Sequence, residues 1–321
     1  MVIVLKARIL DILKKRGGYV SGEEISRELS VSRSAVWKHI RALRNEGYRI
    51  SSVTNKGYRL EKCDVLNQAE IFAALHTEFI GQSLFCLEKT DSTNNECKRH
   101  SDLPDGTVFA SEVQTGGKGR RGKNWASPRG VGAWFSILLK PELRPEEVPR
   151  ITLIAGLAVC RAIGDSAMIK YPNDVVIGTK KVCGILTELS AEMDFVNYIV
   201  CGIGINVNTP SFEGELSERA TSLLIETGQT YSRARLIGAV LTEFEALYRD
   251  FLQNGLSGMM EEYRSRCITL GSEVTVTYNK QSVRGKCTDI REDGSIVIRT
   301  EDGDLTISSG EVSVRGIYGY V

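Results

Sequence analysis

The chain has 321 residues, 42% of them hydrophobic, enough to bury two or three cores, and its 41 Lys/Arg nearly balance 40 Asp/Glu. The balance is uneven: residues 1–60 carry 13 Lys/Arg against 5 Asp/Glu, a surplus of eight, so the remainder sums to about −7. Lys6 and Arg8 interrupt the apolar start, which excludes a secretory core or membrane span there, while eight cysteines without a C-x-x-C pair and only three histidines argue against disulfide and zinc frameworks. A reduced, cytoplasmic chain away from the membrane is expected, with a basic head that meets a polyanion.

Three helical patterns fill the head. Ile9, Leu10 and Leu13 mark the first, which Gly17-Gly18 ends. Ser21-Gly22-Glu23-Glu24 reads as a capping box opening a second helix with Ile25 and Leu29 buried. Ser32 caps a third, with Val36, Ile40 and Leu43 inward at i, i+4 and i+7, and Gly47 closes it. The opposite face carries Arg33, Ser34, Trp37, Lys38, Arg41 and Arg44. Two strand-like runs, 48–53 and 58–60, follow around Asn55-Lys56-Gly57. Helix, helix, turn, cationic helix and hairpin is the order of a winged helix-turn-helix. Ser32, Arg33, Ser34, Trp37, Lys38 and Arg41 are the expected groove contacts, with Lys56 at the hairpin tip for a phosphate or the minor groove. One such helix reads a half-site, so a repressor built this way is expected to be a dimer.

The run 61–67 lacks periodicity and reads as a linker. Strand signals at 85–90, 107–113, 134–139 and 195–207 then alternate with helical ones at 151–163 and 232–252, and from Gly271 the pattern turns all-β, suiting a small barrel. Asp91-Ser92-Thr93-Asn94 is a cluster of cap-type residues before a polar helix. Gln114–Trp125, QTGGKGRRGKNW, holds four glycines and four cations without an acid. Its Gly117-Lys118-Gly119-Arg120-Arg121-Gly122 satisfies G-x-G-x-x-G, yet Pro128 and two glycines follow where a dinucleotide fold needs a helix, so that reading is rejected. Glycine lets backbone approach a ligand and Arg/Lys supply charge-assisted donors, so the segment suits a phosphate-gripping loop, self-repelling when empty. Alone it suits a basic solubility or nucleic-acid loop equally well. Lys170-Tyr171-Pro172-Asn173-Asp174 sets a cation, an amide and a carboxylate around a stiff turn, and Lys181 begins the apolar run Val182–Leu186. Gly202-Ile203-Gly204-Ile205-Asn206-Val207-Asn208 leaves one strand face bare, with room for a flat ligand or a helix.

Taken together these segments closely resemble the family of bifunctional biotin–protein ligases and biotin operon repressors. The family's G-R-G-R-x-G-R, K-W-P-N-D and G-x-G-I-N stand here as GKGRRGK, KYPND and GIGIN, accompanied by DSTN and KVCGIL. The resemblance covers nearly the whole chain. It implies an α+β multidomain fold: a winged helix-turn-helix over residues 1–62, an α/β class II synthetase-like catalytic domain over 67–268 and an SH3-like β-barrel over 269–321.

The resemblance also implies an activity, in which biotin and ATP form biotinyl-5′-AMP and biotin then passes to a lysine of the biotin carboxyl carrier protein of acetyl-CoA carboxylase. Ser92, Thr93, Asn94, Gln114, Lys118, Gly119, Arg120, Trp125, Lys181, Gly184 and Gly204 would bind biotin and its activated carboxyl. Arg120, Arg121, Lys170, Asn173, Asn206 and Arg315 would meet the nucleotide, and Arg120, Lys181 and Asp174 would carry catalysis. Mg²⁺ would come with ATP, with no dedicated protein metal site. The adenylate would act as corepressor, favouring a homodimer on biotin operon DNA. Thr209–Glu218 is the candidate second loop over the adenine. Two departures stand out: Lys118 where the family has arginine, losing bidentate geometry, and Tyr171 for tryptophan. A lipoate-type protein ligase and a non-enzymatic biotin-sensing transcription factor are the rival readings.

Overall fold

The computed structural model describes residues 2–192, 195–278, 281–308 and 313–316. It forms two compact units, Met1–Val65 and Leu66–Val321.

The first unit packs three helices and a hairpin. Helix α1 (Val2–Arg16) contributes Ile9, Leu10, Ile12 and Leu13 to the core, and Gly17 leaves it at φ +62°. Ser21 Oγ accepts the Glu24 amide at 3.0 Å to open α2 (Gly22–Leu29), and Ser32 Oγ accepts the Ala35 amide at 3.2 Å to open α3 (Arg33–Asn45). Ile25, Leu29, Val36, Ile40 and Leu43 fill the interior as the periodicity requires. Strands β1 (Ile50–Val53) and β2 (Gly57–Leu60) pair antiparallel, from Ile50 opposite Leu60 to Val53 opposite Gly57. Gly57 has φ +100°, and a Cβ there would lie 2.1 Å from the Val20 carbonyl oxygen, so the turn admits only glycine. Residues 61–66 are irregular as expected; Val65 belongs to this unit's core and Leu66 to the other's.

The second unit is built on a seven-stranded sheet. Its elements in chain order are α4 (Gln68–Phe72), β3 (Leu84–Leu87), α5 (Thr93–Arg99), β4 (Val108–Ser111), β5 (Gly132–Leu139), α6 (Pro149–Ile163), β6 (Ala167–Lys170), β7 (Asp174–Ile177), β8 (Lys180–Glu192), β9 (Phe195–Asn206), α7 (Leu216–Arg219), α8 (Leu223–Thr227), α9 (Arg233–Asn254) and α10 (Met260–Ser265). The strand order is β3-β4-β5-β9-β8-β7-β6, with only β3 and β4 parallel.

Alternation along the strands separates two faces. Val108, Ala110, Ile137, Leu139, Ile199, Cys201, Ile203 and Ile205 join the main core with α6 and α9. Phe109, Leu138 and Val200 point the other way, where Cys97 of α5 covers them. Trp134, Ser136, Gly202 and Gly204 have the parity of this second, thinly covered face.

Buried charges fix the connections. Glu245 of α9 accepts the amides of Glu78, Phe79 and Ile80 at 2.6, 3.0 and 2.7 Å. Arg233, 1% exposed, forks onto Glu112 with bonds of 2.8 and 3.0 Å just beyond β4.

The all-β end comprises β10 (Glu273–Tyr278), β11 (Gln281–Ile290), β12 (Ile296–Thr300), β13 (Gly303–Ile307) and β14 (Ser313–Gly316), antiparallel, with β14 returning beside β10. Its β11–β12 turn reaches the sheet: Gly294 O accepts the Tyr171 hydroxyl at 2.9 Å, and Thr269 Oγ1 accepts the Tyr171 amide at 3.0 Å. The departure from tryptophan thus carries a hydroxyl with a defined partner. Among the described residues no helix is long and apolar enough to cross a membrane.

Candidate active site

A cleft opens on the thinly covered sheet face because three adjoining positions have no side chain. Gly184 of β8 pairs with Gly204 of β9, and Gly202 lies two residues along. A Cβ at Gly204 would stand 2.7 Å from Trp125 Nε1, one at Gly184 2.9 Å from the same indole, and one at Gly202 2.1 Å from Asn94 Oδ1. The bare face therefore seats the Trp125 ring and the first turn of α5. The Trp125 Nε1–H is buried without an acceptor among the described residues.

The cap-type cluster at 91–94 precedes α5 as expected, but its side chains serve the cleft. Ser92 stands at the N-cap of α5 but makes no side-chain cap bond. Ser92, Thr93 and Asn94 are instead 2%, 3% and 4% exposed and line the cleft. Gln114 Oε1 accepts the Thr93 amide at 2.8 Å and Gln114 Nε2 donates to Ser127 Oγ at 2.8 Å, so one amide side chain joins α5 to both feet of the basic loop.

Backbone hydrogen bonds close the loop into a turn. Gly119 donates to Lys123 O at 2.7 Å and Trp125 to Gly117 O at 2.9 Å. Its cations diverge: Lys118 Nζ donates to Asn95 Oδ1 at 2.7 Å and Arg120 Nη1 to Asn173 Oδ1 at 2.9 Å. Arg121, in the left-handed region at φ +57°, is exposed and does not line the cleft. Burial first, then the neighbouring Arg121 charge, lowers the Arg120 pKa, and Asp174 opposes this. An anion beside Arg120 would relieve the same unfavourable burial.

A strand irregularity places the lysine. The β7–β8 register shifts between Val175 and Val176, so Val182 and Cys183 both enter the core and Lys181 shares a face with Gly184. Lys181 Nζ lies 2.5 Å from Asp174 Oδ1 and 5.1 Å from the Trp125 ring centre, held between carboxylate and indole. Its station by Gly204 and the Thr93 station by Gly202 are about 7 Å apart along the strand.

All eleven residues expected to meet the biotin moiety line this one cleft, with Phe135, Asn173, Ile185, Leu186, Gly202 and Ile203. The nucleotide set divides. Arg120 and Asn173 line the cleft, whereas Arg121, Lys170 and Asn206 do not. Lys170 is 7% exposed on the register pair with Asp174, and Asn206 Nδ2 is spent on Thr221 O at 3.0 Å. Asp174 is absent from the lining and reaches it through Lys181. The Arg315 backbone pairs with Thr275, and its side chain lies outside the described residues. Among the described residues no three His, Cys, Asp or Glu side chains gather as a metal site. Sequence reasoning missed Ser136, visible only as a lone polar residue in an apolar run, Glu188, one of several polar residues late in β8, and the Glu112–Arg233 pair, which left no local signal.

In the first unit Ser32, Arg33, Ser34, Trp37, Lys38 and Arg41 are exposed on α3, and Lys56 is exposed in the β1–β2 turn. Trp37 is 53% exposed and Arg41 lies 5.7 Å from its ring centre. The expected face also included Arg44, whose Nε is taken by Ile50 O at 2.8 Å.

Known proteins share this arrangement. Residues 84–206 match the biotin/lipoate A/B protein ligase family, 6–59 an HTH domain and 269–315 the biotin protein ligase C terminal domain. The bifunctional ligase/repressor BirA of Bacillus spizizenii is 36% identical over 97% of this chain and 98% of its own. That of Escherichia coli is 30% identical over 95% and 96%. The solved biotin protein ligase from Aquifex aeolicus in complex with biotin and ATP superposes with a TM-score of 0.66 at 33% identity, over 73% of this chain and 99% of that one. Matched along its whole length by ligases that are also repressors, the chain belongs to the family of bifunctional biotin–protein ligases/repressors.

Proposed function

We propose that the cleft joins biotin to AMP and then delivers biotin to a lysine of a biotin carboxyl carrier protein, and that the head represses biotin genes when the adenylate is held. The observation that carries this reading is the glycine-bared floor roofed by Trp125 between a wall of neutral polar groups and a cluster of cations. A fused ureido ring needs donors and acceptors without charge, which Ser92, Thr93 and Gln114 offer. A carboxylate attacking an α-phosphate needs cations where two anions meet, which Lys181 and Arg120 offer.

The carboxylate oxygen attacks phosphorus, pyrophosphate leaves, and biotinyl-5′-AMP remains. Lys181, positioned by Asp174, and Arg120, positioned by Asn173, stabilise the charge that accumulates on the phosphoryl oxygens. The acceptor lysine amine then attacks the acyl carbon and AMP departs, leaving an amide. Asp174 already holds Lys181, so the chain offers little for a cation of its own, and Mg²⁺ would arrive on the nucleotide phosphates. Trp125 and the 114–125 turn shield the mixed anhydride from water. The segment 209–218 is the second cover: it leads into α7, and Lys180 Nζ donates to Ser217 O at 2.8 Å beside Lys181.

The adenylate further biases the chain toward a homodimer whose paired heads read two half-sites in the cytoplasm, which requires only that the dimer prefer the liganded form. Biotin-dependent exchange of labelled pyrophosphate into ATP tests the ligase, with lipoate as the competing substrate. Exchange with biotin and its loss in Lys181→Ala are expected; exchange with lipoate alone, or with neither, would refute the reading. Equal operator affinity with and without biotin plus ATP would remove the coupling.

A further inference from the structure

A chain of hydrogen bonds, buried at its Ser136 end and half-buried at Glu188, leads from the cleft wall to a carboxylate outside it. Ser136 Oγ, fully buried on β5, lies 2.6 Å from Asn94 Oδ1 and 2.7 Å from Thr93 Oγ1. Asn94 Nδ2 donates to Glu188 Oε2 at 2.8 Å and more weakly to Leu186 O at 3.3 Å. Glu188 Oε1 accepts Lys98 Nζ at 2.6 Å. Ser136, Gly202 and Glu188 have the parity of one sheet face on three adjacent strands, and the missing Gly202 side chain is the space Asn94 fills.

The ionised carboxylate and the two shortest contacts select one direction for each link. Burial raises the Glu188 pKa, but bonds from Lys98 and Asn94 outweigh it and hold the group below the ordinary glutamate range. At neutral pH the carboxylate is ionised and only accepts. The Asn94 amine must therefore face Glu188, and its oxygen must face Ser136. Ser136 spends its single proton on that oxygen, so its own oxygen must accept from Thr93; otherwise two lone pairs would meet at 2.7 Å. Thr93 Oγ1 also lies 3.1 Å from Gln114 Oε1, but its single proton serves the shorter contact with Ser136, and Gln114 Oε1 is held by the Thr93 amide at 2.8 Å. The Thr93 hydroxyl is left with lone pairs toward the cleft.

We infer that Glu188 is a positioning residue that sets the polarity of the ligand-facing Thr93 hydroxyl, fixing it as an acceptor for a ureido N–H. This rests on the biotin reading above. In Glu188→Gln the single amide oxygen goes to the charged Lys98, because charge-assisted bonds are the stronger. Its amine then confronts the Asn94 amine, donor against donor, unless Asn94 turns over and reverses the relay. Either way a buried group loses its partner. Replacing Lys98 as well frees the glutamine oxygen to accept from Asn94 and restores the original direction.

Pyrophosphate exchange should show the biotin KM of Glu188→Gln raised about 10- to 100-fold with kcat within about threefold. Glu188→Gln/Lys98→Met should recover at least tenfold of that KM despite having lost the ion pair. The wild type should discriminate strongly against a biotin with a methylated ureido nitrogen, and Glu188→Gln should discriminate less. A Glu188→Gln enzyme with wild-type KM, or a double variant no better than the single one, overturns the inference while leaving the ligase assignment intact. A wild-type chain without biotin-dependent exchange would sink the ligase assignment and this inference together.

Discussion

Arg233 offers the sharpest test of how the body supports the cleft. Its side chain is 2% exposed and forks onto Glu112, itself 15% exposed, two residues before Gln114. The neighbouring Tyr231 is bound in both directions by Asn208, whose amide donates to Val131 O beyond the other foot of the basic loop. The N-terminus of α9 thus ties together the two ends of the segment that carries Lys118, Arg120 and Trp125. Removing one member of such a pair strands the other charge, at a cost of about 3–5 kcal/mol. For a unit of this size each kcal/mol lowers the melting temperature by about 2–4 °C, so Arg233→Met should lose about 6–20 °C. Glu112→Leu/Arg233→Met, with no charge left behind, should recover most of that loss, since apolar replacement of a buried pair is often neutral. If the pair also sets the loop root, the double variant should keep a raised biotin KM after its melting temperature has returned. Calorimetry and pyrophosphate exchange on the full chain measure both. An unaltered melting temperature in Arg233→Met would refute the burial argument, and recovery of stability and KM together would refute the loop-root argument.

Two further substitutions address the cleft floor and the head. Gly202→Ala puts a methyl carbon 2.1 Å from Asn94 Oδ1, where Ser136 and Glu188 leave the amide no way to yield. Biotin affinity should fall at least tenfold by isothermal titration, and unchanged affinity would mean that the first turn of α5 is not part of the ligand wall. Trp37→Ala should weaken operator binding without changing the slope of log K against log salt, because an indole neutralises no phosphate. Lys38→Ala should lower that slope by about one unit, and equal slopes for the two variants would show that α3 does not lie against the DNA backbone as the exposed face implies.

The fold was legible wherever a periodic signal met a cap. The α2 and α3 starts follow from Ser21 and Ser32, and the long helix from Ile237, Leu241, Phe244, Tyr248 and Phe251, all of which are buried. Strand ends were less legible. The run 85–90 pairs continuously only as far as Leu87, opposite Ser111, and then meets the neighbouring segment again in a single bridge from Thr90 to Gln114, an interruption in the pairing that alternation alone does not mark.

In the site, the legible residues are those whose chemistry needs no neighbour to be recognised: four cations among glycines, a lysine opening an apolar strand, glycines alternating with isoleucine. Less legible was how these groups are placed and which of them act through a neighbour. Lys181 reaches the cleft only because a one-residue slip between β7 and β8 reverses its side, and regular alternation would have sent it into the core. Asn94 reads as a ligand contact in a row of cap residues, yet both ends of its amide are occupied by Ser136 and Glu188, 42 residues and 94 residues away. Thr93 is the residue left facing the cleft, and what it can offer there depends on a carboxylate that never touches the ligand. A sequence names the groups at a wall, but the direction in which a neutral wall donates or accepts is a property of the whole bonded chain, and it becomes definite only where that chain ends on a charge.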